Sequence, residues 1–433
     1  SESGRNWKGM YSFWAEDYEE ALSCFEDAVE KNPSCVEAYS KIGDCKCNLG
    51  LYSEAVEAYK KAIIIDSNYI DAYAGLGWVY GNLGLYSEEV EAYEQAIRVE
   101  PDNADAYYNL GAACAKLGSY SKAIKAYKQA ISINPDDADA HCNLGTAYAN
   151  LGLYSEAIDA YEQAIYVKPA YAQVYYNLAI AYGNLKRHGE AIEAYKQAIR
   201  IDPDYADAYF NLGLTYGNLG RYSEQIEAYK QAIRINPDDA YTYYNLGLTY
   251  LNLESYSKAI EAYKQVIRIN PDNAYAHYNL GVAYGNLGRY SEAIEVYKQA
   301  IRIDPDYAKA FYSLGWAYSE LGLYSKAIEA YKQAIRIDPD YAKAHYNLGL
   351  AYAKLGRYYE AIEAYKQAIR INPDDAKAHY NLGWVYGNLD RYYEAIETYN
   401  QVIRINPDYA KAHHNLGLAY AKLGRYYEAI EAY

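Results

Sequence analysis

An amide that returns every thirty-four residues is the feature of this chain with the most chemistry in it. Asparagine stands at Asn109, Asn143, Asn177, Asn211, Asn245 and Asn279 and, after Ser313, at Asn347, Asn381 and Asn415. The residue before it is aromatic in most copies: Tyr108, Tyr176, Phe210, Tyr244, Tyr278, Tyr312, Tyr346 and Tyr380, with Cys142 as an exception. One turn further on lie apolar side chains, among them Leu214, Leu248, Trp316 and Trp384. Asparagine is a poor helix former, so its return at one helical phase asks for a reason. An amide offers both a donor and an acceptor and can grip an extended peptide backbone without reading its side chains. Set beside rigid aromatic rings, it makes the mixture found on recognition surfaces. A second asparagine follows seven residues later at Asn150, Asn184, Asn218, Asn286 and Asn388, two turns on, so the pattern predicts two parallel amide rows. A copied residue that bonds a neighbouring helix would repeat equally well, and both readings stand at this point.

Other chemistry-bearing residues point nowhere in particular. His345, His379 and His413 form a column, but helices pack about 8–10 Å apart, too far for one metal ion or a proton relay. They share their slot with Tyr209, Tyr243 and Phe311 and read as core aromatics. The six cysteines contain no C-x-x-C pair and read as scattered buried thiols, with a Cys24–Cys45 disulfide left open. No phosphate-binding glycine loop or nucleophile elbow occurs, so the expectation is no enzyme, no cofactor and no metal. A formal charge of −16 argues against nucleic acid and against an anionic membrane surface. No apolar run approaches the length of a membrane span, so no membrane insertion is expected.

The elements that position these residues follow from the repeat. All eleven prolines fall at one phase of a 34-residue period, and proline ends a helix. Within AKAHYNLGLAYAKLGRYYEAIEAYKQAIRINPDD, residues 342–375, apolar positions at spacings of three and four mark two helices joined at Gly356-Arg357. A helical hairpin of this size cannot bury its own apolar face, so neighbours must stack. The fold expected is all-α, an α-solenoid of 34-residue antiparallel helix pairs. It forms one array over 1–433, with repeats 2–35, 36–69, 70–103, 104–137, 138–171, 172–205, 206–239, 240–273, 274–307, 308–341, 342–375, 376–409 and an incomplete 410–433. The break inside the last repeat, with Tyr433 on a core stripe, suggests a fragment of something longer.

These repeats resemble the tetratricopeptide repeat (TPR), through the aromatic or His at 345, Leu348-Gly349, Tyr352, Gly356, Tyr358, Ala361, Tyr365, Ala368 and Pro373. The resemblance implies a right-handed superhelix whose first helices line the concave side. It also implies a ligand mode: the array is similar to the tetratricopeptide arm of O-linked N-acetylglucosamine transferases, where an asparagine ladder at this place holds substrate polypeptide. Carried over, that role falls on the nine asparagines from Asn109 to Asn415. Ala179 in place of glycine, Glu89 and Gln225 in place of alanine, His188 in place of tyrosine and Asp390 at the turn depart from the pattern, and local looseness is expected there.

The start of the first helix is graded rather than copied. It runs Glu37, Asp71, Asp105, Asp139, Gln173, Asp207, then Tyr241 and Tyr275, then Lys309, Lys343, Lys377 and Lys411. Such a gradient would give an extended partner a direction, and would equally let one molecule's tail meet another's head. The functional expectation is therefore a scaffold that binds an extended polypeptide or partner protein in a Tyr/Asn-lined groove. Two alternatives are a structural protein that stacks head-to-tail into filaments through uncapped terminal repeats, and the substrate arm of a larger glycosyltransferase-like enzyme.

Overall fold

The computed structural model describes residue 10 and residues 13–432, so the reading of Tyr433 lies outside the described residues. The chain is an all-α solenoid, and no strand occurs among the described residues. It divides into two units, residues 1–228 and 229–433, each described here by itself. First helices begin at Val36, Ile70, Ala104, Ala138 and so on at a constant interval; second helices begin at Tyr52, Tyr86, Tyr120 and their counterparts.

Local chemistry fixes each boundary. After the helix Ala342–Lys354, Gly356 takes φ 71°, and the N–H of Arg357 returns to the carbonyl of Tyr352 at 3.0 Å. Left-handed backbone of this kind favours glycine. Four turns carry Glu16, Lys186, Glu254 and Asp390 instead, at φ 54–60°, so they keep the hairpin geometry at some backbone cost. The second helix Tyr358–Ile371 ends ahead of Pro373, where Asn372 closes the last turn onto Ala368.

The core is a column of tyrosines locked into glycines. Tyr365 of the second helix is buried beneath the first helix of its own repeat, and a Cβ on Gly349 would sit 2.7 Å from its ring. The same fit recurs at Gly111 with Tyr127, Gly145 with Tyr161, and Gly315 with Tyr331. Removing the Cβ lets the two helices approach until the ring fills the space between them. Around Tyr365 pack Leu348, Tyr352, Val385 and Tyr399, so each hairpin buries its stripe against the next. Burial raises the phenol pKa of these residues, to about 12 at Tyr93 and Tyr161.

Two of the departures, Glu89 and Gln225, are accommodated in the core, whereas the buried Nδ1 of His188 has no hydrogen-bond partner among the described residues. Glu89 is only 4 % exposed, and Lys116 of the next repeat reaches its two carboxylate oxygens at 3.1 and 3.3 Å. Room for the longer side chain comes from Gly81, where a Cβ would stand 2.9 Å from the Glu89 carboxyl. Gln225 is buried in the same way against Gly217. In both cases the glycine stands eight residues before the longer side chain. All six cysteines are free.

Candidate functional site

The nine asparagines lie half-buried on one face of the first helices. Within each unit consecutive first helices touch directly, as Ala308–Glu320 does Ala342–Lys354. The asparagines occupy that seam. The amide nitrogen of Asn143 donates to the hydroxyl of Tyr108 at 3.0 Å, and Asn211 to Tyr176 at 2.9 Å. In the second unit Asn279 donates to Tyr244, Asn347 to Tyr312, Asn381 to Tyr346 and Asn415 to Tyr380, all at 2.9–3.0 Å. Each bond runs back thirty-five residues and ties one first helix to the one before it.

The exceptions follow from the partner. Asn177 meets Cys142, with nitrogen and sulfur 4.0 Å apart. Asn245 turns to the carbonyl of Tyr241 in its own helix; thirty-five places before it the sequence has Phe210, which carries no hydroxyl. Asn109 has Ala74 at that place and makes no such bond among the described residues. The second amide row is closed off in another way: Asn150, Asn184, Asn286 and Asn388 each donate to the carbonyl four residues back. The donors of both rows are therefore largely occupied within the fold. For Asn381, the Oδ1 acceptor has no donor among the described residues.

The tyrosines of this face are paired by residues that periodicity alone does not single out. Tyr205 lies against Tyr176, Tyr307 against Tyr278 and Tyr341 against Tyr312, with ring centroids 5.0 Å apart, and Tyr409 lies 5.4 Å from Tyr380. These partners sit at the N-cap of the next first helix. Where that position is Asp or Asn, its side chain caps the helix instead, as Asn103 accepts from Ala106 N–H and Asp137 from Ala140 N–H. The alternation of PDYA with PDDA and PDNA in the sequence is the signal that marks them.

Apolar members of the face are unevenly exposed. Leu214, Leu248 and Leu350 are half-buried, and Trp316 fits over Gly285, where a Cβ would stand 2.7 Å from its ring. Trp384 is 41 % exposed and divides two clefts. One, of about 260 Å³, is lined by Leu350, Lys354, Tyr380, Asn381 and Trp384. The other, of about 250 Å³, runs between Trp384, Tyr392, Asn415, Leu418 and Lys422. Both hold an aromatic wall, one amide of the ladder and one lysine. The histidine column is occupied elsewhere: His345, His379 and His413 bond through Nε2 to the carbonyls of Pro339, Pro373 and Pro407 at 2.8–3.0 Å.

Models of the tetratricopeptide repeat match residues 43–84, 244–308, 296–329, 317–356, 342–375, 364–397 and 389–424. The model of the C-terminal domain of cilia and flagella-associated protein 70 matches residues 67–269, and together these matches run without a gap from 43 to 424. The chain belongs to the tetratricopeptide repeat family. Among solved structures, the array is similar to MamA at 32% identity, with 40% of this chain and 94% of that chain covered and a TM-score of 0.38. It is similar to YrrB, described as a TPR protein with an unusual peptide-binding site, at 29% identity, 42% and 95% coverage and a TM-score of 0.39. A likeness of fold extends to the C-terminal part of a TPR repeat-containing protein from Cytophaga hutchinsonii, at 19% identity, 56% and 99% coverage and a TM-score of 0.51. The comparison with curated proteins gives no match. No helix among the described residues of this tetratricopeptide array is long and apolar enough to cross a membrane.

Proposed function

We propose that the array is a non-catalytic scaffold that binds an extended polypeptide along its first-helix face, with Trp384 as the anchor. The observation that carries this reading is the large exposed indole between two clefts, each furnished with an amide and a lysine. Exposed aromatic area beside polar groups is what a peptide-binding surface needs, and tryptophan is enriched among residues that dominate such binding. Asn381 of the asparagine ladder takes part through its carbonyl. Its nitrogen holds a tyrosine hydroxyl, so Asn381 presents Oδ1 to a peptide N–H rather than both halves of the amide.

Random peptides displayed on phage and selected on the immobilised chain provide the test. Binders should lose at least about tenfold in affinity with Trp384→Ala. They should keep it with Tyr346→Phe, which takes the hydroxyl from Asn381 and leaves its carbonyl in place. A selection that returns no binder, or binders indifferent to Trp384→Ala, removes this assignment.

A further inference from the structure

The first turn of the first helix carries two rows of opposite charge, eight repeats apart. Glu37, Asp71, Asp105 and Asp139 occupy it in four successive repeats of the first unit; Lys309, Lys343, Lys377 and Lys411 occupy it in four successive repeats of the second. All eight side chains are exposed. The acids sit where helix N-termini favour negative charge, so their own helices account for them. The lysines do not, because each places a cation against the positive end of its helix dipole. None of the four has a carboxylate within ion-pair distance among the described residues. Asp338 lines the same cleft as Lys309 and Lys343, yet accepts a bond from Asp340 N–H in its own turn. The helices at Lys309 and Lys343 also lack a side-chain cap, because Tyr307 and Tyr341 stand at that position.

Charge beyond the rows is divided in the same sense. Residues 1–228 hold 34 acidic and 18 basic side chains and residues 229–433 hold 23 of each, so the whole −16 belongs to the first unit. We infer that the lysine row of one chain docks on the acidic row of a second copy. Both rows occupy one position of the same 34-residue repeat, in four consecutive hairpins each. Their spacing therefore matches without adjustment, and four opposite pairs can form in register. Complementary rows of this kind set register and partner choice as well as attraction. The docking is independent of the peptide reading, which rests on Trp384 and the asparagine seam.

Sedimentation velocity at about 0.15 M salt is the direct measurement, since a Debye length of about 8 Å screens the repulsion between two acidic chains but not pairs in contact. The wild type should associate reversibly and fall back to monomer near 1 M salt, where the Debye length is about 3 Å. Two charge-reversed chains sharpen the outcome. One carries Lys309→Glu, Lys343→Glu, Lys377→Glu and Lys411→Glu; the other carries Glu37→Lys, Asp71→Lys, Asp105→Lys and Asp139→Lys. The second borrows an arrangement already native to the other row, and unchanged circular dichroism checks that both fold. Each alone should be monomeric, and mixing them should restore the associated species, while Trp384→Ala leaves association unaltered. A wild type that stays monomeric at 0.15 M salt, a lysine-row variant that associates like the wild type, or a mixture that fails to associate overturns the inference. Binding of an acidic peptide to the lysine row of a chain that does not self-associate would reassign the row to a different partner.

Discussion

The two units are made from one repeat and differ in where they depart from it. The first unit bends the packing rule: Ala179 stands where glycine is usual, and Glu89 and Gln225 enter the core beside Gly81 and Gly217. The second keeps glycine beside its core tyrosines and varies the surface, with lysines at helix starts, a tryptophan between clefts and four Arg–Glu clamps. The lesson is that this core admits a long polar side chain by an exchange of room: Glu89 and Gln225 each stand against a glycine, Gly81 and Gly217. Its surface varies at helix starts and turns, where Lys309, Lys343 and Arg357 reach solvent.

The largest effect should come from breaking the rule in the second unit. Gly349→Val puts branched carbon 2.7 Å from the Tyr365 ring, and overpacking of this kind costs about 3 kcal/mol. The reverse substitution in the first unit, Ala179→Gly, should cost about 1 kcal/mol, the ordinary penalty of glycine in a helix. Amide hydrogen exchange, which resolves opening along the chain, measures both. An equal loss at the two sites would mean that the tyrosine–glycine contact is not what limits the second unit.

A second, smaller effect tests the exchange itself. Lys116→Met leaves the Glu89 carboxylate buried without its cation. Removing one partner of a fully buried pair costs about 3–5 kcal/mol, and the half-exposed lysine brings the expectation down to about 2 kcal/mol. Restoring the pattern with Gly81→Ala and Glu89→Ala together should recover that stability in the Lys116→Met background, since it moves the methyl group back and removes the charge. Gly81→Ala alone should destabilise, because its Cβ meets the carboxyl at 2.9 Å. Denaturant melts of the wild type, Lys116→Met, Gly81→Ala with Glu89→Ala, and all three substitutions together close a cycle that gives the coupling energy.

Much of this was legible in the sequence. Period, proline phase and apolar stripes define the hairpins, because helix boundaries here depend on local chemistry: glycine at a left-handed turn, proline after the second helix. The paired asparagines are equally visible. What their donors bind was not, because that bond joins residues thirty-five apart and depends on how closely first helices approach. The tyrosines at 205, 307, 341 and 409 look like loop residues by position, and only the stacked geometry reveals them as part of the face. Glu89 was legible as a departure. Its compensation by Gly81 and Lys116 required three-dimensional neighbours from two repeats.

The smallest effect concerns acid. At the hairpin turn, Arg289, Arg357, Arg391 and Arg425 each place the guanidinium 4.6–4.8 Å from a tyrosine ring centroid and donate two bonds to the glutamate three residues on. The first unit has two such clamps, Arg187–Glu190 and Arg221–Glu224. Hydrogen bonds from the arginine hold Glu292, Glu360, Glu394 and Glu428 below the ordinary carboxylate value of 4.5. A carboxylate whose pKa is lowered on folding contributes stability that is complete above that value and disappears as the pH falls through the folded pKa. Acid should therefore loosen the hairpin turns, and in more places along residues 229–433 than along residues 1–228. Exchange of the turn amides at Arg357 and Arg391, compared between neutral pH and pH about 3 after correction for intrinsic rates, should show this loosening. The six sites are solvent-exposed, so each shift is small, and Glu360→Gln should abolish it at its own turn while leaving the next turn unchanged. A turn that loosens in acid even with glutamine at 360 would place the acid sensitivity in other carboxylates.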